Sequence, residues 1–209
     1  MIKMLKRISY LILGQITIAL GIALVINSQL GAFPITLTNL SLANLTGLSY
    51  GFVSMLVEII IILFCLLLKS KIGIATLFNG ILGGYFIDFT LIFLPVPNQI
   101  IIKLLYLLLG SITLVIGFYI QGNARLGKTS SNLLTACIRK KYNLSITTMK
   151  LIQETSFTLI GLIGAFSQFG LATIILAIFF GKLMDFIYKL LNYDPTKVEH
   201  TYITFKNKK

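Results

Sequence analysis

The chain has 209 residues, 56 % of them hydrophobic, with a mean hydropathy of +0.93. A soluble domain of that length needs no such apolar excess, whereas runs of about 20 apolar residues cross the roughly 30 Å hydrocarbon layer as helices, so an integral membrane protein is expected. The net charge of +12 does not mark a nucleic-acid binder, because the basic residues gather in short loops between apolar runs, where lysine and arginine mark the cytoplasmic side.

The first predicted helix covers residues 9–28, behind Lys3, Lys6 and Arg7. Basic residues followed by an apolar run resemble a signal peptide, but no small-residue cleavage pattern follows, so a retained helix is expected. Residues 30–50 carry no charge and are rich in Ser, Thr and Asn. Proline fits a first helical turn, so a short interfacial or re-entrant helix is expected to start at Pro34. Helices over 51–68 and 72–94 follow, the latter stopped by Pro95 and Pro97. The second half repeats the order, with helices over 104–121, 147–166 and 170–191 and a short polar segment over 124–146. The organisation is then 1–103, 104–191 and a polar tail over 192–209.

The two halves align on each other. Leu13-Gly14, Thr17, Gly21, Asn27 and Leu30-Gly31 match Leu109-Gly110, Thr113, Gly117, Asn123 and Leu126-Gly127 at one constant offset. At the same offset Leu48-Ser49 and Glu58 match Leu144-Ser145 and Glu154. One inserted residue later, Gly73, Ala75-Thr76, Gly84 and Asp88-Phe89 match Gly170, Ala172-Thr173, Gly181 and Asp185-Phe186. With six spans and both termini cytoplasmic, Lys103 is the one basic residue in an outer loop, as the positive-inside bias requires. Three spans per copy is odd, so the copies face opposite ways. The expected fold is all-α: a polytopic membrane protein of six transmembrane helices as two inverted three-helix repeats, the plan of many secondary transporters.

Six acidic residues occur, and four of them, Glu58, Asp88, Glu154 and Asp185, fall in predicted spans as two matched pairs. A charge at a span centre costs about 2.5–3.5 kcal/mol on insertion scales, so such residues turn inward and carry function. Glu58 has no basic neighbour on its helix, whereas Lys150 stands one turn before Glu154 and offers an ion pair. Lys182 stands in the same relation to Asp185. Asn27 and Asn123, Thr76 and Thr173 are matched polar residues of the spans, and Asn79 lies on the face of Thr76 and Gly83. These seven, Glu58, Glu154, Asn27, Asn123, Thr76, Thr173 and Asn79, are the candidate substrate or ion ligands. The glycines are expected to let helices approach closely. The starts of both short helices offer free N–H groups to an anion.

Gly122 to Thr129 spells G-x-x-x-x-G-K-T, but a phosphate loop needs a preceding strand, and a span precedes it here. No histidine lies in a span, and no two acids stand at metal-ligand spacing, so neither an enzyme nor a metal or other cofactor is expected. Cys65 and Cys137 fall near the cytoplasmic side, where a disulfide is not expected.

Leu30-Gly31, Leu45-Thr46-Gly47-Leu48-Ser49-Tyr50-Gly51, Ile72-Gly73-Ile74-Ala75-Thr76-Leu77, Gly83-Gly84 and Asp88-Phe89 resemble the YczE/YyaS/YitT family of bacterial membrane proteins, the YczE-type branch most. The resemblance covers nearly the whole chain and implies a polytopic protein of the bacterial plasma membrane. Family members often carry an aspartate just inside each short segment, where this chain has Thr36, Ser130 and Asn132. That difference leaves the polar role to Glu58 and Glu154.

The reading is a small secondary transporter or permease that moves a small molecule or ion across the bilayer. The alternative is an accessory or substrate-capture subunit that works with a separate ATPase or biosynthetic system. A homo-oligomer or a partner membrane subunit is compatible with either.

Overall fold

The computed structural model describes residues 2–143, 145–195 and 197–202, and every element in them is helical. In chain order these are α1 (Ile2–Ser28), α2 (Pro34–Thr46), α3 (Tyr50–Leu67), α4 (Ile74–Phe78), α5 (Gly84–Phe93), α6 (Ile100–Asn123), α7 (Ser130–Tyr142), α8 (Ile146–Gly164) and α9 (Leu171–Leu190). A π-helical turn, Asn79–Gly83, joins α4 to α5, so that Ile74–Phe93 runs as one helix with a widened middle.

Five helices are long and apolar enough to cross a membrane: Met4–Ser28, Tyr50–Leu67, Ile74–Phe93, Ile100–Asn123 and Leu171–Leu190. The predicted span over 147–166 corresponds to α8, which is not among them. It carries Lys150, Gln153 and Glu154 on 19 residues, and that polar load lowers its hydropathy below that of the other five. The distribution of side chains is that of a membrane protein. Leu67, Ile92 and Leu171 point outward, while Gln15, Asn39, Ser41, Gln121 and Gln153 are buried. Polar groups inside and hydrocarbon outside is the arrangement lipid imposes, because an unpaired polar group costs most where it meets lipid.

α1 and α6 form the most extensive helix pair and pack antiparallel along their glycines. A methyl group at Gly14 would stand 2.7 Å from the Gln121 backbone nitrogen, and one at Gly21 2.7 Å from that of Leu114. On the facing helix, methyl groups at Gly110 and Gly117 would meet the Gly21 carbonyl at 2.9 Å and the Ile18 nitrogen at 2.8 Å. These are the glycines that the sequence matches between the halves, and they let backbone touch backbone.

Two clamps then join the halves. After α1, Gly31 adopts φ +148°, and after α6 Gly127 adopts φ +132°, conformations that only glycine takes without strain. The Ala32 N–H donates to Thr173 Oγ1 at 3.1 Å, with Gly170 packed on the Leu30 carbonyl. In the other clamp the Ala75 N–H donates to the Leu126 carbonyl at 2.9 Å, Thr76 Oγ1 donates to the Lys128 carbonyl at 2.6 Å, and Gly73 packs on Leu126. Each short-helix entry is thus held by the other half.

The short helices differ in setting. α2 starts at Pro34 as expected and ends at Gly47 in a left-handed cap. It is no surface helix: Pro34, Thr36, Leu37, Thr38, Asn39, Leu40 and Ser41 are buried. Thr38 Oγ1 donates to the Phe157 carbonyl at 2.6 Å, and Ser41 Oγ accepts from the Gly164 N–H at 2.8 Å, so α2 lies along α8. α7 packs against α3 and α8, and its basic end, Arg139 and Lys141, is exposed. Cys65 on α3 and Cys137 on α7 are free, buried and neighbours in one apolar cluster.

Candidate functional site

The start of α3 is fixed from outside its own helix. Ser49 caps it by accepting the Phe52 N–H at 3.2 Å. Asp88 of α5 accepts the Gly51 N–H at 2.6 Å and the Ser49 hydroxyl at 2.5 Å. A carboxylate at a helix N-terminus answers the free N–H groups and the positive end of the helix dipole. Gly51 and Gly84 meet backbone to backbone beside it. Asp88 is therefore a structural acid, and it sets the depth of everything that follows on α3.

Glu58 comes two turns later. Its Cβ faces Gly80 of the π turn, where a methyl group would stand 3.7 Å away. Ser130, the first residue of α7, is the polar side chain that acts on its carboxyl. Hydrogen-bond geometry is nevertheless lacking: Glu58 Oε2 and Ser130 Oγ are both buried without a partner, and so is Asn39 Oδ1 on α2. Tyr50, beside Asn39 and Thr36, feels the Glu58 charge as well. The start of α7, one of the two expected anion sites, thus has the chain's own carboxylate in front of it. The π turn adds a loosened backbone, and such turns concentrate at functional sites.

Next to it lies a network of three amides, the buried Gln15 and Gln121 and the half-buried Asn79. Asn79, which opens the π turn, donates to Gln121 Oε1 at 3.1 Å and accepts from Gln121 Nε2 at 2.8 Å. Gln121 Nε2 also reaches Gln15 Oε1 at 3.2 Å. Gln15 and Gln121 were not singled out from the sequence. Their signal was an amide within an apolar run, but neither has an amide at the matching position of the other half, where Ser111 and Val25 stand.

The remaining candidates are spread through the fold. Thr76 and Thr173 are the side chains of the two clamps. Asn27 Nδ2 donates to the Leu94 carbonyl at 2.8 Å and stitches α1 to the end of α5. Asn123 Nδ2 bonds the Tyr119 carbonyl of its own helix at 2.9 Å. Glu154 is half-exposed, and Lys150 is the charge that acts on it. The inward place beside it belongs to Gln153, which accepts from Thr135 Oγ1 at 2.6 Å and donates to Ser131 Oγ at 2.7 Å. Neither glutamate acts on the other's charge. Among the described residues no three His, Cys, Asp or Glu side chains gather as metal ligands.

A buried carboxyl with a free oxygen, facing an unpaired hydroxyl and a loosened helix turn, can take up and release a proton or hold a cation. Residues 5–189 match the DUF6198 family, described as a family of unknown function. The chain belongs to the DUF6198 family. An uncharacterized protein of Haemophilus influenzae is 27 % identical over 187 residues, which cover 89 % of this DUF6198 chain and 85 % of that protein. No solved structure matches. The family match takes in both halves, so Glu58, the π turn and both clamps of this DUF6198 protein all lie within it.

Proposed function

We propose that the protein is a small secondary transporter or permease of the bacterial plasma membrane, with Glu58 as its proton- or cation-coupling group. The buried, unpartnered Glu58 Oε2 opposite the unpartnered Ser130 Oγ carries this reading. A carboxyl left without a counter-charge in a membrane helix is costly, and the cost is understandable where the group must change its occupant. The proposal takes the halves as inverted repeats, α8 as a sixth span, α2 and α7 as re-entrant helices, and both termini as cytoplasmic. The reciprocal clamps, Gly31 with Thr173 and Gly127 with Thr76, and the burial of α2 support it. Glu154, beside Lys150, takes a secondary part. The likeness to YczE/YyaS/YitT proteins fits the same plan.

Protein reconstituted in liposomes with an entrapped pH dye tests the coupling role. Addition of cations and small solutes is expected to drive proton or cation flux in wild type, to lose it in Glu58→Gln and to reduce it in Glu154→Gln. Unchanged flux in both variants would sink the proposal.

A second reading, a membrane subunit serving a separate ATPase or biosynthetic system, is favoured by α9. Gly181 has open space where its mate Gly84 touches Gly51, and Asp185 is exposed where its mate Asp88 caps a helix. An uncovered helix of this kind suits a partner. Co-purification with a membrane or ATPase subunit supports this reading, and flux by the lone protein excludes it.

A further inference from the structure

At one end of the α1–α6 seam, Lys6, Arg7, Tyr10, Asn123 and Arg125 line an open cleft of about 290 Å³. Among the described residues no carboxylate lines it, and the ion pair Lys197 with Asp194 at 3.4 Å lies in the exposed tail. The tail closes one side: the Thr201 N–H donates to the Arg125 carbonyl at 2.8 Å, and Arg7 Nη1 reaches Thr201 Oγ1 at 3.3 Å.

The opposite end of the seam shows what is unusual here. By the offset that aligns the halves, Lys103 corresponds to Arg7 and Gln29 to Arg125. At that end Lys103 Nζ donates to Gln29 Oε1 at 2.9 Å, a cation satisfied by a neutral acceptor. At the cleft the acceptor is replaced by a second guanidinium. Gln29 and Arg125 share the same left-handed backbone, φ 54° and 56°, so the replacement is made on one framework. Two cations set in one cleft repel, and an anion between them relieves that repulsion. Nearby, burial and the charges of Lys128 and Arg125 push the His200 imidazole below its usual range, and its Nδ1 is buried without a partner.

We propose that this cleft binds a phosphate-bearing anion, held between the Arg7 and Arg125 guanidiniums with Lys6 at the rim. Guanidinium forks match the oxygens of a phosphate in paired hydrogen bonds. Anionic lipid headgroups and soluble phosphates share that chemistry. Basic residues on the cytoplasmic flank of a span attract the former, and the two sources are separable by experiment. The inference holds whether or not the protein transports.

The chain has no tryptophan, so Tyr10→Trp places a sole fluorophore in the cleft. In nanodiscs, brominated phosphatidylglycerol is expected to quench it more than brominated phosphatidylcholine at equal mole fraction. In detergent, unmodified protein is expected to gain thermal stability from phosphatidylglycerol, inorganic phosphate or pyrophosphate. Arg125→Gln recreates the acceptor of the other end, so it is expected to fold, to be more stable than wild type without ligand, and to bind on the order of tenfold more weakly. Lys71→Gln, in another loop, is the control and should bind as wild type does. A response to phosphatidylglycerol alone assigns a lipid headgroup, and a response to the soluble anions alone assigns a free phosphate. No response to any of them overturns the proposal. So does an Arg125→Gln variant that binds as wild type does, or a Lys71→Gln variant that loses as much.

Discussion

Asp88 Oδ1 accepts the Gly51 backbone N–H at 2.6 Å, and through that bond α5 fixes the start of α3 and the depth of Glu58. The matched Asp185 on α9 is exposed and makes no such cap. Asp88→Ala is therefore expected to cost about 1–2 kcal/mol, the range of a lost helix cap. Asp185→Ala should stay within about 0.5 kcal/mol. Thermal unfolding in one detergent compares them directly, and equal losses would contradict the difference drawn between the two halves.

Glu58 should be a group the fold would be steadier without. Removing a buried oxygen that has no partner relieves a desolvation cost of about 1–3 kcal/mol. Glu58→Met is accordingly expected to raise the melting temperature while flux is lost, the trade between stability and activity that strained sites show. Glu154→Met, at a half-exposed position near Lys150, should move stability little. A destabilised Glu58→Met would mean that the carboxyl has a structural partner.

The glycines divide by what faces them. Gly21→Ala pushes a methyl group to 2.7 Å from the Leu114 backbone nitrogen, and backbone cannot swing aside as a side-chain tip can. A loss of about 1–3 kcal/mol is expected. Nothing lies within 4 Å of the corresponding position on Gly181, so Gly181→Ala should be neutral or stabilise by up to about 1 kcal/mol through helix propensity. Unfolding measurements on the pair read both signs.

The docked tail should loosen in acid. The His200 pKa is lowered by burial first and then by Lys128 and Arg125, so the undocked tail binds a proton more readily than the docked one. Docking is unaffected above the free imidazole pKa of about 6.5 and weakens as pH falls below it. Limited proteolysis across residues 192–202 is expected to speed up between about pH 7 and 5 in wild type. It should lose that dependence in His200→Gln, and a flat wild-type profile would refute the assignment.

Much of this was legible in the chain. Helix boundaries followed from apolar runs, Pro34 and the Pro95–Pro97 stop, and the duplicated glycines pointed to close helix contact. Glu58 stood out because a charge within Val-Glu-Ile-Ile is unusual. What stayed hidden depends on neighbours distant in sequence. Gln15, Asn79 and Gln121 form a network only because α1, the π turn and α6 converge. Within the π turn, Gly80 and Gly83 leave room for Ile62 and Gln15, neighbours that no local pattern records. Matched letters do not bring matched surroundings. Glu154 occupies the place of Glu58 in the alignment, yet it is half-exposed, and Gln153 beside it is the buried residue, bonded to Thr135 and Ser131 of α7.

The glycine seam has one more implication. Where α1 and α6 touch main chain to main chain, a shift of one helix along the other would drive a Cβ into a peptide group, so neither can slide. The pair is an axle rather than a moving part. Any alternation of access around Glu58 must come from the pieces hung on it: α3 with its π-turn neighbour, and the short helices whose entries the other half grips.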